Sequence, residues 1–128
     1  MAPKILLIDD EPLMHLLYKS HIEKAGYGLV TAKNAEEGLA MVKHDKPALI
    51  VIDIILTGQD GLAALRELKA AKETKHIPVI IFTGAISDAH HASRREAASA
   101  GAAAFLTKPI SPAQLVNEIK RLVPAKEA

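Results

Sequence analysis

The segment Pro47-Ala48-Leu49-Ile50-Val51-Ile52-Asp53-Ile54-Ile55-Leu56 is an aliphatic run interrupted by a single carboxylate. Because its apolar residues do not alternate with polar ones, the pattern is typical of a strand buried on both faces of a sheet. An unpaired carboxylate is costly to bury, so we expect Asp53 at the carboxyl end of this strand, facing a partner. Taken alone, Asp53 could also simply cap the helix that follows.

The rest of the chain alternates between short apolar runs and segments with helical spacing. Besides the central strand, four more are predicted: Lys4–Ile8, Gly28–Ala32, Ile77–Thr83 and Ala102–Thr107. Right-handed crossovers join such units into a parallel sheet with helices on both faces. The sequence therefore predicts an α/β domain with a five-stranded, doubly wound parallel sheet and five flanking helices. We expect one domain over residues 1–128, with its core at 4–123 and a frayed tail at 124–128.

Helix ends and buried stripes are also predicted. The first helix is expected to bury a stripe beginning with Leu13, Leu16 and Leu17 and to stop at Gly26. The spacing of a capping box, Ser or Asn followed three residues later by Gln or Glu, occurs at 34–37 and 111–114. The stripe of the last helix comprises Leu115, Ile119 and Leu122.

Composition excludes several classes of function. Sixteen basic and fifteen acidic residues leave a net charge of +1, and so small a positive charge does not indicate binding to nucleic acid. The absence of cysteine excludes disulfides, thiol catalysis and cysteine metal sites. The six histidines form no ligand pattern and are interpreted as surface or structural residues. No apolar run is long enough to span a membrane, so we expect a cytoplasmic protein. We also expect a monomer or a weak dimer.

Chemically active side chains follow four of the predicted strands. Asp9 and Asp10 come after the first strand, Asp53 lies at the third, Thr83 at the fourth, and Lys108 after the fifth. The carboxyl ends of parallel strands share one edge, so these residues should converge there. Crowded carboxylates repel one another unless a cation joins them, and an all-oxygen site suits Mg²⁺. A lysine and a hydroxyl beside it would bind a phosphoryl group. Each piece alone also has a structural interpretation as a cap or loop residue.

Taken together, these motifs resemble the receiver domain of two-component response regulators. The resemblance covers Lys4 to Val123. It rests on Ile-Asp-Asp-Glu-Pro at 8–12, Asp53 with Asp60-Gly61 after it, Phe82-Thr83-Gly84, and Phe105-Leu106-Thr107-Lys108-Pro109. It implies a flavodoxin-like, CheY-like fold and a signalling function.

The resemblance also implies a phosphorylation and metal site. Asp53 would accept the phosphoryl group. Asp10, Asp53 and the backbone carbonyl of Ile55 would bind Mg²⁺ directly, and Asp9 would bind it through water.

Further roles implied by the resemblance concern phosphoryl binding and switching. Lys108 would contact a phosphoryl oxygen, and a cis bond before Pro109 would turn that lysine over the sheet edge. Thr83 would move its hydroxyl towards the phosphoryl group, and the Phe105 ring would follow.

The implied activity is signalling rather than enzymatic turnover. A sensor histidine kinase or histidine phosphotransfer protein would phosphorylate the domain, which would catalyse only its own phosphorylation and dephosphorylation and then bind an unidentified protein. One alternative is a phosphorelay shuttle. Another is a haloacid-dehalogenase-like phosphatase, which needs Asp-x-Asp with the nucleophile after the first strand. A degenerate receiver acting as a scaffold is disfavoured because no acidic or switch residue is missing.

In two places the sequence departs from the family pattern. Thr57 stands where many members have proline. The segment between Thr83 and Lys108 is a few residues longer than usual, with the extra length expected within 84–92. The geometry of the output surface is therefore left open.

Overall fold

The computed structural model describes residues 3–9, 11–53, 61–83, 95–107 and 110–124, excluding the side chains of Pro12, Met14 and Thr83. The strands are β1 Lys4–Ile8, β2 Gly28–Ala32, β3 Leu49–Asp53, β4 Val79–Thr83 and β5 Ala104–Thr107. The helices are α1 Pro12–Lys24, α2 Ala35–Asp45, α3 Gly61–Ala70 and α5 Pro112–Leu122. Residues 95–100 are helical as well and are called α4.

All five strands form one parallel sheet in the order β2-β1-β3-β4-β5. The strand order reverses between β1 and β3, which is where ligands bind in doubly wound sheets. The predicted fold class is confirmed. Among the helices of the described residues, none is both long and apolar enough to cross a membrane.

The central strand β3 explains why its sequence does not alternate. All five of its residues are buried. Ile50 and Ile52 belong to a core cluster on one face of the sheet, whereas Leu49 and Val51 belong to a cluster on the other face. Successive side chains of a strand point to opposite faces, so a sheet covered on both sides requires apolar residues at every position.

The predicted buried stripe of α1 is wrong. Leu13, Leu16 and Leu17 are 78%, 68% and 48% exposed, whereas Tyr18 and Ile22 are buried. With roughly 3.6 residues per turn, the leucines lie on the side of the helix opposite the two buried residues. The sheet-facing side of α1 therefore carries an aromatic residue, whose hydroxyl finds a partner there, and leaves the three leucines in solvent.

The other helix signals agree with the structure. Gly26 ends α1 with a φ of 100°, a conformation that favours glycine. At α5, Gln114 N donates to Ser111 Oγ at 3.1 Å and Ser111 N donates to Gln114 Oε1 at 3.0 Å, which confirms the capping box. At α2, Asn34 Oδ1 accepts from the backbone N–H of Glu37 at 2.8 Å. Leu115 and Ile119 are buried and Leu122 is half-buried.

Candidate functional site

The candidate site lies where β1 and β3 end side by side. Ile8 of β1 is in register with Ile52 of β3, so Asp9 and Asp53 are the next residues along two neighbouring strands. The backbone N–H of Asp9 donates to Ala32 O at 3.0 Å, which holds the chain beside β2 for one more residue. Strand pairing therefore places both carboxylates at the point where the strand order reverses.

Among the residues that the structure describes, three carboxylates meet at this point: Asp9, Glu11 and Asp53. Each offers an oxygen, and the three oxygens lie within 4.8 Å of one another. Asp9 is 0% and Asp53 is 7% exposed, whereas Glu11 is exposed. Anionic groups this close repel one another, and a hard cation relieves that repulsion. A donor set made only of oxygens, partly shielded from water, fits Mg²⁺ in kind.

Glu11 is a member of this cluster that we did not predict from the sequence. Its backbone N–H donates to Asp9 Oδ1 at 3.0 Å, so the loop after β1 folds back on the Asp9 carboxylate. The available signal was its position in the acidic run 9–11, directly after a predicted strand. Which member of such a run faces Asp53 depends on the path of the loop.

His15 is the second contributor that was not predicted at this site. Its Nε2 lies 2.6 Å from the carbonyl oxygen of Asp9, and its backbone N–H donates to Glu11 O at 3.3 Å. A carbonyl oxygen can only accept a hydrogen bond, so Nε2 carries the proton. The interpretation of this histidine as structural rather than metal-ligating fits the contact.

The remaining predicted residues are described only in part. Thr83 ends β4 in register with Thr107 of β5, and its side chain is not among those described. Phe105 lies on β5, half-buried against the core cluster that contains Ile81. Several predictions lie outside the described residues and stay predictions: Asp10, Ile55, Thr57, the longer segment 84–92, Lys108 and Pro109.

Tyr18 of α1 connects two elements at this edge of the sheet. Its hydroxyl donates to Ile110 O at 3.1 Å, two residues after Lys108 in the sequence. Its ring meets Phe82 edge to face, with centroids 5.9 Å apart. Phe82 is in turn the register partner of Asp53. Helix α1 therefore contacts both β4 and the segment before α5 close to the candidate site.

The family to which this chain belongs follows from its match to a protein-family model. The family model of the response regulator receiver domain matches residues 5–120. The chain belongs to the response regulator receiver domain family. The predicted relationship is confirmed, and the chain is a receiver domain of two-component signalling.

Individual relatives support the same relationship. Protein PilH of Pseudomonas aeruginosa is 31% identical over 121 residues, which covers 94% of this chain and 97% of PilH. Response regulator PleD of Caulobacter vibrioides is 32% identical over 122 residues, covering 95% of this chain but 26% of PleD. The chain thus spans about a quarter of PleD and nearly the whole of PilH.

Solved structures show the same fold. The chemotaxis response regulator CheY4 of Vibrio cholerae has a TM-score of 0.86 at 23% identity, over 96% of this chain and 100% of CheY4. The signal receiver domain of a signal transduction histidine kinase from Syntrophus aciditrophicus has a TM-score of 0.85 at 31% identity. That alignment covers 95% of this chain and 90% of the other.

Proposed function

We propose that this receiver domain accepts a phosphoryl group on Asp53 in a Mg²⁺-dependent reaction. The observation that carries the proposal is the meeting of Asp9, Glu11 and Asp53 within 4.8 Å at the reversal of strand order. The donor is a phosphohistidine on a sensor histidine kinase or a histidine phosphotransfer protein. An Asp53 carboxylate oxygen attacks phosphorus in line, the phosphorus–nitrogen bond breaks, and the donor imidazole leaves with its electron pair.

Both aspartates are buried, and the small accessible surface that Asp53 keeps supports its assignment as the nucleophile. Asp53 keeps 7% of its surface accessible, whereas Asp9 has none and its Oδ1 accepts a hydrogen bond from Glu11. A group that attacks an incoming phosphoryl donor needs access, and a group that only holds a cation can stay covered. The same observation argues against a phosphatase whose nucleophile is Asp9 after the first strand.

The cation would be held by Asp9, Asp53 and Glu11, together with Asp10 and the Ile55 carbonyl that the resemblance implies. When bound, Mg²⁺ supplies positive charge for the phosphoryl oxygens. Asp53 provides the attacking oxygen, and Asp9 holds the loop through the bond to Glu11 N.

The output of the domain is proposed to be a phosphorylation-dependent surface. Lys108 would contact a phosphoryl oxygen, Thr83 would turn its hydroxyl to the new dianion, and Phe105 would respond by changing its packing on β5. An unidentified protein then binds, or a phosphorelay partner takes the phosphoryl group onward. We propose a cytoplasmic monomer or weak dimer that acts on neither nucleic acid nor membrane and has no catalytic activity beyond its own phosphorylation and dephosphorylation.

The exposed leucines of α1 give the proposed donor a contact surface. Leu13, Leu16 and Leu17 are neighbours on one side of the helix whose N-cap residue is Glu11 of the acidic cluster. A protein that brings phosphohistidine to Asp53 has to cover the surface around that cluster, and exposed apolar patches commonly mark such contacts. Replacing Leu16 and Leu17 with Ser should slow phosphorylation by a phosphorylated histidine phosphotransfer domain and leave phosphorylation by acetyl phosphate unchanged. Equal slowing with both donors would contradict this role.

Intact mass spectrometry tests the proposed chemistry directly. Incubation with acetyl phosphate and Mg²⁺ should add one phosphoryl group to the wild type, and a chelator should prevent it. Asp53→Asn should stay unmodified. Asp45→Asn alters a carboxylate at the end of α2 that pairs with Lys4 at the start of β1, whereas Asp9 follows the other end of that strand, so this variant should be modified like the wild type. Full modification of Asp53→Asn would place the phosphoryl group elsewhere.

A further inference from the structure

Three hydrogen bonds close a small loop at the start of α1. Glu11 N donates to Asp9 Oδ1 at 3.0 Å, His15 N donates to Glu11 O at 3.3 Å, and His15 Nε2–H donates to Asp9 O at 2.6 Å. His15 therefore contacts the backbone of both Asp9, which follows β1, and Glu11, which precedes α1.

We propose that His15 is a positioning residue for the cation site. Its Nε2–H donates to the main-chain carbonyl oxygen of Asp9, and the backbone N–H of Glu11 donates to Asp9 Oδ1. Asp9 and Glu11 each supply an oxygen to the cluster, so His15 restrains the backbone from which both carboxylates reach Asp53. The inference rests on the proposed function, in which this cluster binds Mg²⁺.

Two features separate this role from ordinary helix stability. The His15 ring is half-buried, so its hydrogen bond to Asp9 is partly shielded from competing water. His21 makes a similar contact further along α1, with Nδ1 3.4 Å from Leu17 O. His21 is exposed, however, and its partner belongs to the same helix. The two histidines therefore share helix, residue type and acceptor type, and only His15 reaches a residue of the cluster.

A matched pair of substitutions isolates the hydrogen bond. Gln and Met have similar length and similar helix propensity, but only Gln can donate to the Asp9 carbonyl. Mg²⁺ binding is measured by isothermal titration calorimetry on the unphosphorylated full chain for wild type, His15→Gln, His15→Met and His21→Met. We expect His15→Met to weaken Mg²⁺ binding about tenfold, the order seen when residues supporting metal ligands are lost. His15→Gln and His21→Met should bind close to the wild-type affinity.

The outcomes distinguish this inference from the proposed function. Failure of the wild type to bind Mg²⁺ would overturn the proposed function. Wild-type binding with unchanged affinity in His15→Met would overturn the positioning role alone, as would equal weakening in His15→Gln and His15→Met. Urea unfolding without metal completes the test: if His15→Met does not fold, or loses stability while keeping its Mg²⁺ affinity, His15 is only structural and the inference is wrong.

Discussion

Helices α1 and α5 pack beside each other on the same face of the sheet, yet they are built differently. Helix α5 begins with a reciprocal capping box and buries Leu115 and Ile119. Helix α1 has Glu11 as its N-cap residue, but the Glu11 side chain does not cap the helix, and the leucines of α1 lie in solvent. Both helices contribute to one core cluster, so the difference does not come from where they sit in the fold.

The first turns of the two helices differ in what they contact. At the start of α5, the side chains of Ser111 and Gln114 satisfy the backbone of the first turn. At the start of α1, the equivalent position holds Glu11, a member of the acidic cluster, and the first turn contains His15, which bonds back to Asp9. Local rules of helix design are commonly broken at functional sites. The start of α1 is therefore part of the candidate site, whereas the first turn of α5 is stabilised by its own capping box.

The largest expected effect concerns the two sides of α1. Ile22 is 1% exposed, and Ile22→Ala should lower the free energy of unfolding by about 2–5 kcal/mol because it leaves a cavity. Leu16 is 68% exposed, and Leu16→Ala should cost less than about 0.5 kcal/mol. Urea unfolding of both variants measures the difference. Similar losses in the two variants would mean that the leucine side of α1 is buried.

Which side of α1 faces the sheet could not be predicted from the sequence. Apolar residues occur on two arcs of the helix, and periodicity does not say which arc faces the sheet. The choice follows from partners distant in sequence: the Phe82 ring and the Ile110 carbonyl, which lies 92 positions from Tyr18.

Other parts of the molecule could be predicted because their cause is local. Residues 49–52 of β3 are apolar at every position because both faces of the sheet are covered, and the α5 capping box involves residues three positions apart. The convergence of Asp9 and Asp53 followed from parallel strands ending at one edge. Glu11 was missed because its carboxylate reaches the cluster only through the path of the loop, which hydrophobic patterns do not encode.

The second prediction compares the loss of the N-cap side chain in each of the two helices. Ser111→Ala should lower the free energy of unfolding by about 1 kcal/mol, because it removes the side-chain acceptor for the first turn of α5. Glu11→Ala should cost less, because Glu11 provides no such cap to α1, and it should weaken Mg²⁺ binding. Urea unfolding and calorimetry measure the two quantities. If Glu11→Ala destabilised the metal-free chain as much as Ser111→Ala did, the contrast between the helices would be lost.

The third prediction tests the hydrogen bond that joins α1 to the segment before α5. Tyr18→Phe keeps the ring contact with Phe82 and removes the hydrogen bond to Ile110 O. The expected loss is about 1 kcal/mol, the net value of a typical hydrogen bond in a folded protein. Thermal unfolding measures it, with Tyr18→Leu as the control that removes the ring as well and should cost more. An unchanged stability for Tyr18→Phe would show that water replaces the hydroxyl at no cost.

The last prediction concerns the pH dependence of a contact between the opposite ends of the same two helices. Tyr27 follows the end of α1, is buried, and donates its hydroxyl to Val123 O at the end of α5. Burial raises the pKa of Tyr27 above its ordinary value of 10.0, since the phenolate is harder to solvate in the folded chain. As the pH rises through 10, the unfolded chain loses this proton first and binds fewer protons than the folded chain, so stability falls. The Tyr27 contribution is therefore complete below pH 10 and decreases above it.

Tyr27→Phe isolates this dependence from the other groups that titrate nearby. Burial lowers the pKa of Lys69, so the unfolded chain binds more protons at that residue and its contribution rises with pH in the same range. Lys69 is present in both proteins, and its contribution cancels when their stabilities are subtracted. At neutral pH the free energy of unfolding of the wild type should exceed that of Tyr27→Phe by about 1 kcal/mol. Urea unfolding at a series of pH values should show this margin shrinking above pH 10. A margin that stayed constant would mean that the Tyr27 hydroxyl ionises equally easily in the folded and unfolded chains.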